Sequence, residues 1–332
     1  MSAEKIISDW KKKIFKPVYW LEGEEEYYID QVVDYAEHHI LSESEAGFNL
    51  TVFYGKDAAW PDIINACRRY PMFSDRQVVL LKEAQQMRDI DKLETYVEHP
   101  LSTTIFVVSY KQKKVDGRTR LAKILKQSGE LLSTKKLYES QLPEWTNELV
   151  EQKGYSISQK ALMLLVDHIG NDLSRINNEI DKILINLNRR KNITEEDIEN
   201  FVGISKEYNV FELQEALGRK DLGKATKIIQ YFDANPKAGP IQMILPTLYN
   251  FFSKVNMLYA VQGGDEKSIA AAIGVHPFFI KDYMHAAKNY SARGTEQILL
   301  LLHHYNLRSI GIHDIGTSDA SLMKELVVKM ME

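Results

Sequence analysis

The sequence holds a single cysteine, Cys67, among its 332 residues. An internal disulfide is therefore excluded, as is a multi-thiolate metal site, and the expected role of Cys67 is that of a small buried hydrophobe. No apolar run approaches the roughly 18 residues of a membrane-spanning helix. Residues 1–13 also lack the continuous apolar core of a secretory leader, so the expected location is cytoplasmic, with no membrane partner. Excess charge of one sign is missing too: the formal net charge is -4. A polycation that coats nucleic acid is thereby excluded, and any DNA contact must come from a local patch. Internal repeats and low-complexity tracts are absent. What remains is an ordinary globular composition, 44% hydrophobic and 27% charged, long enough for two or three domains with cores of their own.

The first part of the chain alternates strand and helix patterns. Residues 17–21 (Pro-Val-Tyr-Trp-Leu) read as a short buried strand, and Gly23 turns the chain into a helix that starts at Glu24 and runs to about Leu41. Its acidic start suits the positive end of a helix, and Ile29, Val32, Val33, Ala36 and Ile40 share one face. Further strands are expected at Leu50–Tyr54, Gln77–Leu81 and Thr104–Val108, with a helix from about Pro61 to Arg69 that turns Ile63, Ile64 and Cys67 inward. Strands interleaved with helices predict a mostly parallel, three-layer α/β domain over residues 1–140. After Pro143 the pattern is helical: Leu173, Ile176, Ile180, Ile183, Leu184 and Leu187 form one apolar stripe, and Thr194 with Asp197 resembles a capping box. These features predict a small helical domain over 141–205 and an all-helical domain over 206–332. In the last, Tyr249, Phe251, Phe252 and Tyr259 crowd one segment, and residues 298–302 form a dense Leu/Ile block.

An α/β domain, a small helical domain and a helical third domain follow the AAA+ layout. In an ATPase of that kind the turn after the first strand reads G-x-x-x-x-G-K-[ST], because backbone N–H groups must reach the phosphates, a lysine the β and γ phosphates, and a hydroxyl the Mg²⁺. Here the turn is Leu21-Glu22-Gly23-Glu24-Glu25-Glu26. Four carboxylates occupy the place of the phosphates, and a like-charge contact at about 4 Å costs on the order of several kcal/mol in a protein-like dielectric. The strand at Val78–Leu81 runs into Lys82-Glu83-Ala84, without the acidic pair that would hold Mg²⁺. No catalysis, cofactor or metal is expected. His38-His39 and His303-His304 do not alter this, since neighbouring helical side chains diverge by about 100°.

One further stretch stands out, Arg69-Tyr70-Pro71-Met72-Phe73-Ser74-Asp75-Arg76-Gln77. Pro71 ends or redirects the helix before it. The two large apolar side chains after it are compatible with a plug for the domain's own core or with an anchor for a partner. Four segments, taken in order, resemble the delta subunit of the bacterial DNA polymerase III clamp loader. They are residues 18–25 (VYWLEGEE), residues 72–80 (MFSDRQVVL), Asn171-Asp172-Leu173 with residues 178–183 (NEIDKI), and Val210-Phe211-Glu212-Leu213. The resemblance spans nearly the whole chain and implies an AAA+ fold without a working ATP site, in a non-catalytic subunit of the DNA polymerase III holoenzyme. By that resemblance the first domain binds and opens the sliding clamp (beta subunit), the C-terminal domain joins a collar with the other loader subunits, and primer–template DNA is a partner in the assembled complex. Met72 and Phe73 match the family's clamp-inserting pair, with Tyr70 beside them. Met adapts its shape and Phe brings rigid apolar area, which suits both to a pocket.

Two other signals compete. Lys111, Lys113, Lys114, Arg118, Arg120, Lys123 and Lys126 form a concentrated basic run around Gly117, which is either a DNA-facing patch or a solvated surface. Residues 268–284 resemble a helix-turn-helix, but the second helix opens with Pro277-Phe278-Phe279 where base-reading helices carry polar groups. Two alternatives to a clamp-opening subunit stay open on the residues: an active AAA+ ATPase with a degenerate loop, and a helix-turn-helix DNA-binding regulator.

Overall fold

The structure, a computed structural model, describes residues 2–205, 207–261, 263–314 and 316–332. The chain divides into two compact units, residues 1–141 and 142–332.

The first unit is built on five strands, β1 (Val18–Gly23), β2 (Leu50–Tyr54), β3 (Gln77–Lys82), β4 (Thr104–Lys111) and β5 (Glu130–Thr134). All are parallel, in the order β2-β3-β4-β1-β5. Its helices are α1 (Ala3–Lys11), α2 (Glu26–His38), α3 (Glu43–Asn49), α4 (Trp60–Cys67), α5 (Glu94–Val97) and α6 (Arg120–Ser128). Side chains alternate across a strand, and here the alternation divides two cores. Tyr19, Leu21, Val78, Leu80, Ile105 and Val107 face α1 and α2, where Ile6, Trp10, Ile29, Val32 and Ala36 meet them. Val18, Trp20, Val79, Leu81, Phe106 and Val108 face α4, α5 and α6, through Ile63, Cys67, Tyr96, Leu121 and Leu125. The expected three-layer parallel α/β architecture is therefore the observed one. The expected helix 24–41 is shorter: α2 starts at Glu26 and ends at His38. A second helix claims the chain from Ser42, where the Glu45 carboxylate takes both the Ser42 N–H at 3.0 Å and its hydroxyl at 2.7 Å. The helix expected to reach Arg69 stops at Cys67.

Among its described residues the second unit is helical apart from a short parallel pair, β6 (Ser156–Ile157) and β7 (Asn192–Ile193). Helices α7 (Leu142–Gln152), α8 (Gln159–Ile169), α9 (Leu173–Asn186) and α10 (Glu195–Val202) pack on one another. The Thr194–Asp197 pairing is present, with the Thr194 N–H donating to the Asp197 carboxylate at 2.9 Å. Helices α11 (Val210–Gly218), α12 (Leu222–Ala234), α13 (Ile241–Leu258), α14 (Glu266–Ala272), α15 (Ile280–Asn289), α16 (Ala292–Ser309) and α17 (Asp319–Met331) follow. All but α14 contribute to one core, which includes Phe232, Phe251, Phe252, Leu302 and Tyr305. No helix of the described residues is long and apolar enough to cross a membrane.

Candidate functional site

Between α4 and β3 the chain forms a loop, residues 68–76, fastened at both feet. At its base the buried Gln77 amide nitrogen lies 2.6 Å from the Arg69 carbonyl, 3.0 Å from that of Ala66 and 2.9 Å from the Thr104 hydroxyl. Thr104 in turn donates to the Cys67 carbonyl at 2.8 Å. Midway, the Asn49 side chain accepts from the Met72 N–H at 2.7 Å and donates to the Met72 carbonyl at 2.8 Å. Ser74 donates to Glu45 at 2.7 Å, and the Arg76 guanidinium lies over the Phe15 ring, 4.2 Å from its centre. The tip carries three large apolar side chains in water: Tyr70, Met72 and Phe73 are 78%, 53% and 93% exposed. Phe73 has φ +55°, a left-handed backbone that non-glycine residues seldom adopt. Serine hydroxyls and the Ser42 N–H on Glu45 hold its carboxyl at about 2.

The turn after β1 is filled by the protein itself. Gly23 has φ +126°, and a Cβ there would fall 2.2 Å from the Thr134 carbonyl oxygen, so only glycine fits. The Glu25 carboxylate accepts from the Tyr27 N–H at 3.2 Å, and the Glu25 N–H donates to Thr134 Oγ1 at 3.2 Å. The α2 N-terminus, where a nucleotidase places phosphate, thus has its own carboxylate as cap. Glu22 accepts from the Val115 N–H at 3.0 Å, and burial pushes its carboxyl up despite that bond. At the end of β3, Lys82 is paired with Glu37. Among the described residues no group of three or more His, Cys, Asp or Glu is arranged to hold a metal ion.

The basic run separates into two kinds of residue. Lys111 sits among Asp30, Glu83 and Glu26 at 2.8, 3.3 and 3.4 Å; burial works against its charge, and these carboxylates outweigh it and raise the ammonium. Arg118 pairs with Asp116 and Arg120 with Glu98, each at 2.7 Å. Lys113, Lys114, Lys123 and Lys126 are exposed. In the segment 268–284, α14 and α15 flank a turn at Gly274 with φ +67°. Ala270, Ile273 and Ile280 are buried together, while Phe278 stands 60% exposed on a short turn ahead of α15. His38 bonds locally to the Asp34 carbonyl at 3.0 Å.

Two sequence models of one family match this chain, that of the DNA polymerase III delta subunit over residues 19–135 and that of its C-terminal domain over residues 207–309. The chain belongs to the DNA polymerase III delta subunit family. The DNA polymerase III subunit delta of Bacillus subtilis (strain 168) is 27% identical over 332 residues, covering 95% of this chain and 93% of that one. The probable DNA polymerase III subunit delta of Aquifex aeolicus (strain VF5) is 23% identical over 299 residues, covering 84% and 83%. Among solved structures, the Bacillus subtilis DNA clamp loader delta protein (YqeN) is similar in fold, with a TM-score of 0.55 at 24% identity over 99% of both chains. Both matched segments fall on parts already described. The first carries the carboxylate-capped turn and the braced apolar loop, and the second lies within the α11–α17 bundle.

The sequence pattern singles out the loop tip but not what holds it. Asn49 and Glu45, both on α3, carry no apolar stripe to mark them; Ser42-x-x-Glu45 has the spacing of a capping box and is the signal that could locate the helix.

Proposed function

We propose that this delta-family chain binds and opens the ring-shaped sliding clamp during DNA replication in the cytoplasm, acting through Met72 and Phe73 with Tyr70 at their side. The observation that carries the reading is the braced loop: three large apolar groups project into water from a backbone tied down at Asn49, Glu45 and Gln77. An isolated exposed apolar residue is ordinary, but a cluster on a fixed support marks a docking surface. Burying Met72 and Phe73 in a partner's pocket contributes roughly 3–6 kcal/mol, enough to anchor an interface. To open the ring, the loop must bind the open form more tightly than the closed one; affinity alone shifts nothing.

In this reading residues 141–205 serve as a lid-like domain and residues 206–332 as a collar domain that joins the other loader subunits. The exposed lysines 113, 114, 123 and 126, with Arg118 and Arg120 in ion pairs beside them, form the patch nearest to a role with primer–template phosphates. Capture of the cognate clamp by wild type and by Met72→Ala/Phe73→Ala tests the reading: wild type retains the clamp and the double variant loses it. Equal retention would remove the proposal. Calorimetric titration with Mg²⁺–ATP addresses the ATPase alternative, and the carboxylate cap at Glu25 leads us to expect no binding heat.

A further inference from the structure

We propose that helix α3 is a positioning element for the docking loop, so that Asn49 and Glu45 set clamp affinity without themselves entering the clamp. The inference rests on the reading of Met72 and Phe73 as the docking pair. Asn49 is 2% exposed, and its amide makes with Met72 the two bonds that a neighbouring strand would make, one to the N–H at 2.7 Å and one to the carbonyl at 2.8 Å. It thereby substitutes for a backbone partner in a segment that belongs to no sheet. Glu45 links two places: one carboxylate oxygen holds Ser42 at the start of α3, and the other takes the Ser74 hydroxyl at 2.7 Å. The residue between Met72 and Ser74 is Phe73, with φ +55° and the most exposed large apolar side chain of the loop. A free chain visits that conformation rarely. Asn49 and Glu45 therefore select it in advance, and the ordering cost that would otherwise fall on clamp binding is met during folding.

The test compares clamp affinity of wild type, Asn49→Ala, Ser74→Ala and Met72→Ala/Phe73→Ala, with thermal melting recorded for all. Asn49→Ala is expected to weaken clamp binding about tenfold and Ser74→Ala about threefold, as loss of preorganisation does. Exchange of the Met72 amide hydrogen should quicken in Asn49→Ala in the absence of clamp. Clamp affinity that falls in Ser74→Ala while its melting midpoint stays at the wild-type value marks lost preorganisation; a fall that only tracks a lowered midpoint overturns the inference. Should Asn49→Ala fail to fold, Ser74→Ala decides, because it removes only one hydroxyl from a half-buried site. Wild-type affinity in Ser74→Ala and Asn49→Ala, alongside lost binding in Met72→Ala/Phe73→Ala, overturns the inference while leaving the docking pair in place. Undiminished binding by Met72→Ala/Phe73→Ala overturns both.

Discussion

Gly23 and Glu45 are single residues on which local geometry depends. At Gly23, φ is +126° and the Thr134 backbone lies where a Cβ would go, at 2.2 Å from oxygen. Gly23→Ala must both strain the backbone and displace β5, so a loss of roughly 2–5 kcal/mol is expected, read as a lowered denaturation midpoint at unchanged slope. Glu45 gives a pH signature. Its folded-state pKa of about 2 lies below the ordinary 4.5, with Ser42 and Ser74 as the hydrogen-bonding cause. A depressed carboxyl contributes its stability above the unfolded value and loses it as pH falls through the folded one. The attachment of Ser42 and Ser74 should accordingly weaken between pH 4.5 and about 2. Amide exchange of residues 42–49 and 72–76, corrected for intrinsic rates, measures it; protection that holds to pH 2 would contradict the assignment.

At the scale of elements, helices and strands with strong apolar pattern are legible in the sequence, and those made by local bonding or edge position are not. The strands at residues 18, 50, 77 and 104 announce themselves because a doubly covered parallel sheet needs unbroken apolar runs. β5, Glu130–Thr134, is an edge strand paired only to β1, with two leucines among polar residues, and it has no such run. α3 buries little; its capping box, not a stripe, fixes it, and the end of α2 falls earlier than its apolar face suggests for the same reason. The parallel α/β fold of the first unit and the apolar tip of the loop at residues 70–73 can be read, but Asn49 cannot, because it lies 23 residues from Met72 in sequence. In the second unit, Glu212 on α11 is buried and held by Lys160 of α8 at 2.7 Å and Lys224 of α12 at 2.6 Å. Burial raises the carboxyl, and the two ammonium groups more than reverse that. Lys160→Met/Lys224→Met should cost about 1–3 kcal/mol by leaving a buried carboxylate unpaired, whereas adding Glu212→Met should recover much of the loss. Chemical denaturation of wild type and the two variants checks the order.

For the molecule as a whole, the five-stranded parallel sheet leads at the end of β1 into a helix capped by its own carboxylate, Glu25, and the activity is expected to lie in binding. Replacing Lys113, Lys114, Lys123 and Lys126 by Gln in the assembled loader should lower the log–log salt slope of DNA binding by about one for each phosphate these lysines neutralise; an unchanged slope removes the patch from the DNA path. The loop at residues 70–73 is proposed to hold the clamp open. The most direct measurement places two distance probes across one interface of the cognate clamp and titrates in this chain. Wild type is expected to lengthen the separation, and Met72→Ala/Phe73→Ala to leave it at the closed value. A separation that wild type does not change, or that the double variant lengthens equally, would contradict it.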